Sequence, residues 1–351
     1  MPLKIKKNSK KIGVIGVGAI GGTIGGPLTK AGYDVTLIDQ WPENVNTMKQ
    51  RGLRVSGTHG DQQIPVKALH LSEVSALNPR FDWIFICVKS YDTKWATQFV
   101  LSYLKSDGAI VSAQNSINED WICPIAGYTR VLSCILTLGG AMYEPANALR
   151  TNEPEALAIT VGELHGRVTP RLEELAQMMS AVGITKTTSN TWGERWAKLA
   201  VNCMVNPMAG ITGLSSAEVR RNPATRRILI RAAAEAIRVG QALGITVEPI
   251  NGIPAQKYLQ ADSDAAAMED VETEMAFRSK ERGEGLPSML QDLMKKRRTE
   301  IDYLNGYVVE KGKQANVPTP INEAITSLLT RVERQGLKPD ISNLRPLERY
   351  N

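Results

Sequence analysis

Lys11 to Gly22 reads KIGVIGVGAIGG, and the order of residue types within it decides the fold. Lys11 to Ile15 is a short apolar run suited to a buried strand. Gly16, Gly18 and Gly21 follow at the spacing G-x-G-x-x-G, and a helical pattern then continues to Lys30. Glycines in that order between a strand and a helix have separate tasks. The first allows the tight turn, the second lets the backbone approach a pyrophosphate, and the third lets helix and strand pack closely. The pyrophosphate would rest on the helix N-terminus, where backbone N–H groups lack intrahelical partners. Gly16, Gly18, Ala19, Ile20 and Gly21 are therefore the expected dinucleotide cradle. After a turn at Gly32, a second strand, Asp34 to Ile38, ends in Asp39, about 20 residues on, where an acidic side chain would hold a ribose hydroxyl pair.

Working outward, Pro42 to Arg51 reads as a helix. Two short strand candidates follow at Leu53 to Val55 and Ile64 to Ala68, joined by the polar turn SGTHGDQQ. Asp82 to Val88 (DWIFICV) is a continuous apolar run, as in a parallel strand covered on both faces. It leads into Lys89 and Ser90. After a helix to Leu104, the strand Ala109 to Ala113 leads into Gln114 and Asn115. In an open α/β sheet ligands bind outside the carboxyl ends of the strands, so Lys89 and Asn115 point to the same place as the glycine loop. Further strands are predicted at Arg130 to Leu138 and Ala156 to Val161. An amphipathic helix opens on Pro170, a favoured first position. Beyond Thr191 strand signals stop, which places a domain boundary near residue 190. The expected fold class is α/β, with an N-terminal dinucleotide-binding domain over 1–190 and an all-helical C-terminal domain over 191–351.

The second domain opens with Trp192 to Asn206, WGERWAKLAVNCMVN. On one helix Lys198, Asn202 and Asn206 fall at i, i+4 and i+8 and share a face, with Glu194 one turn back. The remaining positions are nearly all apolar, so the helix is buried and its polar stripe must find partners or line a cavity. An ordinary Glu194–Lys198 surface pair is the bland alternative. Further on, Ala224 to Leu243 is a long helix, and Glu248 to Gly285 reads as a loop or irregular helical insert. Ser288 with Gln291, and Thr299 with Asp302, have the three-residue spacing of helix caps. On one straight helix Ser288 and Glu300 would stand about 18 Å apart. A bend near Lys295 to Arg298 would fold Glu300 back. A last helix runs to about Arg334, followed by a Pro-containing tail.

The 351 residues exceed what one core usually serves. The net charge of +6 is modest, and its clusters, KIKKNSKK and Lys295 to Arg298, are not interleaved with aromatics. They read as solvated faces rather than a nucleic-acid surface, and a small anionic ligand suits the balance. No apolar run approaches a membrane span and no signal core follows the first lysines, so the expected location is the cytoplasm. Cys87, Cys123, Cys134 and Cys203 form no C-x-x-C pair, so reduced thiols and no metal site are expected. His59, His70 and His165 sit in no motif, leaving lysine or a carboxylate as the acid or base.

Three blocks together resemble the ketopantoate reductases (2-dehydropantoate 2-reductases): the glycine loop, WAKLAVNCMVNPMAGI at Trp196 to Ile211, and SMLQDLMKKRRTEIDYLNG at Ser288 to Gly306. The resemblance implies a Rossmann domain followed by a helical domain that binds substrate and forms a homodimer. It implies Lys198 as catalytic lysine and Glu300 as the carboxylate that positions lysine and substrate. Asn202, Asn206 and Ser288 would hold the substrate, and Lys89 and Asn115 would lie beside nicotinamide and substrate. Two positions depart from the family's usual pattern. QNSIN puts Ser116 where a glycine is common, and LIDQWPEN is acidic where NADPH-using members carry a basic residue. Asp39 therefore points to NAD(H), with NADP(H) the alternative if Lys49 or Arg51 swings in to neutralise a 2′-phosphate. The expected reaction is reduction of a small 2-keto acid, 2-dehydropantoate or a relative, with Lys198 as proton donor. A dehydrogenase of another 2- or 3-hydroxy acid and a silent dinucleotide-binding sensor are the other readings.

Overall fold

The computed structural model describes residues 10–279 and 285–351. The chain divides into two compact units. One runs through Gln114 and from Asn118 to Thr191. The other holds Asn115–Ile117 and the chain from Trp192 on.

In the first unit the chain runs β1 (Lys11–Ile15), α1 (Ala19–Lys30), β2 (Asp34–Asp39), α2 (Pro42–Arg51), β3 (Leu53–Gly57), β4 (Gln62–Ile64), β5 (Lys67–His70) and α3 (Leu71–Leu77). It continues through β6 (Phe81–Ile86), α4 (Thr93–Leu101), β7 (Leu104–Ser112), α5 (Glu119–Ala126), β8 (Val131–Leu136), β9 (Gly140–Ala141) and β10 (Asn147–Arg150). Then come β11 (Leu157–Glu163), α6 (Pro170–Met179) and β12 (Ile184–Thr188). Eight strands form one sheet in the order β12-β11-β8-β7-β6-β1-β2-β5, every pair parallel except the antiparallel β11 and β8. Its central strands are buried through and through: Ile12, Val14, Phe85, Ile86, Ile110 and Val111 are at most 0% exposed. This is the continuous apolar pattern of strands covered on both faces.

A second sheet, β4-β3-β10-β9, was not expected as a separate body. The candidate strand Ile64 to Ala68 is in fact split between the two sheets, β4 in one and β5 in the other. Pro65 lies at the split, where the missing N–H cannot serve a ladder. Helix α3 is a further correction, because His70 has a structural role after all. Its ring accepts from the Ser72 N–H while the Glu73 carboxylate accepts the His70 N–H at 2.7 Å, a reciprocal cap.

Among the described residues the second unit is helical apart from an isolated bridge between Ile250 and Ile253. Its elements are α7 (Thr191–Thr212), α8 (Ser216–Arg221), α9 (Pro223–Ala242), α10 (Ala255–Ala261) and α11 (Ala265–Arg278). They continue with α12 (Ser288–Met294), α13 (Asn305–Ala315), α14 (Pro320–Gln335) and a 3-10 segment, Ile341–Tyr350. The Glu248 to Gly285 stretch is thus largely helical where described, with residues 280–284 outside the described set. No helix among the described residues is long and apolar enough to cross a membrane.

Candidate active site

The glycine loop joins β1 to α1, and at Gly16 and Gly21 only a hydrogen fits. Gly16 has φ 88°, and a Cβ there would lie 2.8 Å from the Val88 nitrogen. At Gly21 a Cβ would lie 2.1 Å from the Gly16 carbonyl oxygen, so this glycine closes the helix onto the turn. Gly18 has no atom within 4 Å of a built Cβ, leaving its backbone open to a ligand. Turn, open approach and close packing are the three features a pyrophosphate cradle needs, and the residues present fit a dinucleotide. Ala19 and Ile20 form the first turn of α1, whose N-cap Gly18 has no side chain to engage those N–H groups.

Asp39, at the end of β2, is 8% exposed. Its Oδ2 accepts from the Val17 N–H at 2.6 Å and its Oδ1 from the Trp41 N–H at 2.8 Å. Burial pushes the carboxyl above its ordinary range, against those backbone hydrogen bonds, which favour the charged form. The Val17 carbonyl is held as well, accepting from Asn44 Nδ2 at 2.9 Å, while Asn44 Oδ1 accepts from the Ala146 N–H at 2.7 Å. Asn44 was not singled out from sequence, since a lone asparagine near a helix start carries no distinctive signal.

Lys89 follows β6 and precedes a 3-10 turn, Ser90–Asp92. Because β7, β6, β1 and β2 are neighbours in that order, Lys89, the glycine loop and Asp39 leave the sheet at adjacent carboxyl ends. A buried polar set, also unforeseen, secures the backbone around Lys89. Gln114 Nε2 donates to the Val88 carbonyl and to Thr93 Oγ1, each at 2.8 Å, and Thr93 Oγ1 donates to Asn118 Oδ1 at 2.9 Å.

Asn115 groups with the helical unit, as does Ser116, whose φ is 71°. A left-handed serine is strained by roughly 1–3 kcal/mol and persists only where its surroundings fix it. Here its hydroxyl donates to the Tyr303 carbonyl.

Lys198, Asn202 and Asn206 all lie on α7, a single helix of 22 residues, so the three project from one face. Leu199, Ala200, Cys203 and Met204 around them are at most 1% exposed. Lys198 is half-buried, whereas Asn202 and Asn206 are 4% and 9% exposed. Asn202 Nδ2 has no hydrogen-bond partner among the described residues.

Ser288 opens α12 but does not cap it. The N-cap is Pro287, and Gln291 Nε2 instead donates to the Leu286 carbonyl at 2.8 Å. The second expected cap is also absent, because Thr299 directs both its N–H and its hydroxyl to Glu333 Oε2, at 3.0 and 2.6 Å. The chain does turn between them: Lys296 has φ 53°, and Arg297 N donates to the Asp292 carbonyl at 2.8 Å. Glu300, 5% exposed, follows that turn and precedes the 3-10 turn Ile301–Tyr303. Lys198, Asn202, Asn206, Ser288 and Glu300 thus belong to one unit, and the glycine loop, Asp39 and Lys89 to the other.

Two family models match the chain, Ketopantoate reductase PanE/ApbA over residues 12–166 and Ketopantoate reductase PanE/ApbA C terminal over residues 190–333. Among curated proteins, the 2-dehydropantoate 2-reductase of Pyrococcus horikoshii is 29% identical over 330 residues, covering 93% of this chain and 98% of the relative. That of Archaeoglobus fulgidus is 28% identical over 327 residues, covering 92% and 98%. A crystal structure of a PanE/ApbA family ketopantoate reductase from Ralstonia eutropha is similar with a TM-score of 0.76 at 26% identity, covering 93% of this chain and 100% of that one. A ternary structure of D-mandelate dehydrogenase with NADH and anilino(oxo)acetate shares the fold, with a TM-score of 0.76 at 24% identity, covering 93% and 99%.

Proposed function

The chain belongs to the ketopantoate reductase family, nicotinamide-dependent oxidoreductases acting on CH–OH groups, and from that premise we propose that it reduces a small 2-keto acid with Lys198 as proton donor. The observation that carries the reading is Asn202 Nδ2, a buried amide donor without a partner on the same helical face as Lys198 and Asn206. An unsatisfied buried donor costs about 1–3 kcal/mol, a cost that a ligand oxygen would remove.

When bound, the nicotinamide ring supplies hydride to the carbonyl carbon. Lys198 meets the negative charge that builds on the carbonyl oxygen and delivers a proton there. Glu300 orients the ammonium and the substrate. Asn202 and Asn206 donate to substrate oxygens, Ser288 donates to the substrate carboxylate, and Asn115 and Lys89 hold the ground beside nicotinamide and substrate. Residues 1–190 serve the cofactor, with Gly16, Gly18, Ala19, Ile20, Gly21 and Asp39 as its contacts. Residues 191–351 serve the substrate and pair two chains into a homodimer.

NAD(H) is the preferred cofactor in this reading. Hydrogen bonds from the Val17, Trp41 and Gln40 backbone and from Asn44 hold Asp39 at the end of β2, where its carboxylate would accept from the ribose hydroxyls. A 2′-phosphate in the same place sets like charges together, at a cost of several kcal/mol. Of the two side chains that could swing in to neutralise it, Lys49 and Arg51, Lys49 is paired with Glu73 at 2.5 Å. The experiment that tests the reaction is a panel of 2-keto and 3-keto acids mixed with NADH and NADPH, followed by nicotinamide absorbance. Oxidation of NADH with 2-keto acids is expected. Turnover restricted to 3-keto acids would move the substrate class, and no turnover across the panel would favour a sensor.

A further inference from the structure

Pro207 lies inside α7, one residue beyond Asn206. Proline has no N–H, and its ring crowds the carbonyl four residues back, so the Cys203 carbonyl is deprived of its helical hydrogen bond. That carbonyl belongs to a residue with 0% exposure, where water cannot make good the loss. Asn305, the first residue of α13, supplies the missing donor: its Nδ2 donates to the Cys203 oxygen at 3.0 Å. The same amide donates to Asn322 Oδ1 at 2.9 Å. Asn322 Nδ2 in turn donates to Glu235 Oε2 at 2.7 Å and to the Ala232 carbonyl at 3.1 Å. Glu235 also accepts the Ile321 and Asn322 N–H groups, each at 2.9 Å, which closes the N-terminus of α14.

The orientation of each amide follows from its partners. Glu235 and the Ala232 carbonyl only accept, so Asn322 must turn its oxygen toward Asn305. Asn305 then faces two acceptors, and only its nitrogen can serve both. Asn305 and Asn322 are 0% exposed and Glu235 3%, so the set is fixed inside the unit rather than draped over it.

We propose that Asn305 is a positioning residue for the substrate face of α7: it replaces the hydrogen bond that Pro207 withholds and so sets where Asn206 stands relative to Asn202 and Lys198. The inference rests on reading those three as the substrate face. Asn305 itself touches no substrate. Proline after Asn206 loosens the helix where its pitch matters, and a side chain from another helix takes over the control.

The test uses the full chain with Asn305→Ala, Pro207→Ala and the double variant, plus Asn305→Leu, which keeps the volume, should the alanine variant fold poorly. Removing the donor should speed amide exchange in residues 203–210 about tenfold, the order expected for one lost buried hydrogen bond. It should raise the keto-acid KM by about the same factor, leave kcat within about threefold, and leave NADH affinity unchanged. Pro207→Ala returns an N–H to the helix, so the double variant should recover both exchange protection and most of the KM. If the double variant stays as impaired as Asn305→Ala, or if removing Asn305 leaves exchange in 203–210 unchanged, the proposal is overturned and Asn305 serves α14 alone. A changed exchange rate with an unchanged KM would also overturn it while leaving the reductase reading intact. If the wild type turned over no keto acid, that reading would fall, and the exchange measurements would still decide whether Asn305 replaces the proline's bond.

Discussion

Asp39 binds the N–H groups of Val17 and Trp41, so it organises the glycine loop and the start of α2 before any ligand contact is considered. Its effect on cofactor choice must therefore be separated from its effect on the loop. The ratio of the two affinities does this, because loop disorder weakens both cofactors while the 2′-phosphate repulsion acts on one. About 3 kcal/mol of repulsion gives a preference of roughly a hundredfold for NADH. Fluorescence titration should show that preference in the wild type. In Asp39→Ala both affinities should fall and the ratio should shrink to within about tenfold. Tighter NADPH than NADH binding by the wild type would show that the charge argument does not hold. At this scale the sequence revealed Asp39 by its distance from the glycines. Asn44, which holds the Val17 carbonyl, was illegible because its partners Val17 and Ala146 lie 27 and 102 residues away.

Among the elements, the end of β11 and the start of α6 are joined by a buried carboxylate. Glu163, 1% exposed, accepts from Arg171 Nε and Nη2 at 2.7 and 2.6 Å and from Thr169 Oγ1 at 2.6 Å. Burial alone would raise its pKa, but the Arg171 and Thr169 hydrogen bonds outweigh burial and hold the carboxyl below its ordinary value. A depressed folded-state pKa stabilises the fold above the unfolded value and loses that contribution as pH falls through the folded one. Melting temperature should therefore drop more steeply in the wild type than in Glu163→Gln as pH falls below about 4.5. Parallel curves would remove Glu163 from the acid response. Elements with a clear period were legible: β1 into α1, the apolar β6, and α6 with proline at its first position. The second sheet was not, since β3 pairs with β10 across some ninety residues and β9 is only two residues long. The turn between α12 and Glu300 was foreseen by a length argument. The cap assigned to it was wrong, because Thr299 is taken by Glu333, and so was the cap read at the start of α12, where Pro287 and not Ser288 is the N-cap.

For the whole molecule, the glycine loop marked one unit and the polar stripe of α7 the other, since each motif is local in sequence. What joins the helical unit internally is not local. Glu333 reaches back to Thr299, and Asn305 reaches back to Cys203, so neither partnership could be read before the fold was known. Pairing of two chains through residues 191–351 predicts the mass of a dimer in sedimentation at low micromolar concentration, and a monomer there would end that part of the reading. The central claim is that an ammonium on α7 delivers the proton in carbonyl reduction, and replacing Lys198 by alanine tests it most directly. Turnover of the best 2-keto acid should fall by about 10² to 10⁴, with melting temperature and NADH affinity kept. A folded Lys198→Ala enzyme with turnover near the wild type would contradict the account.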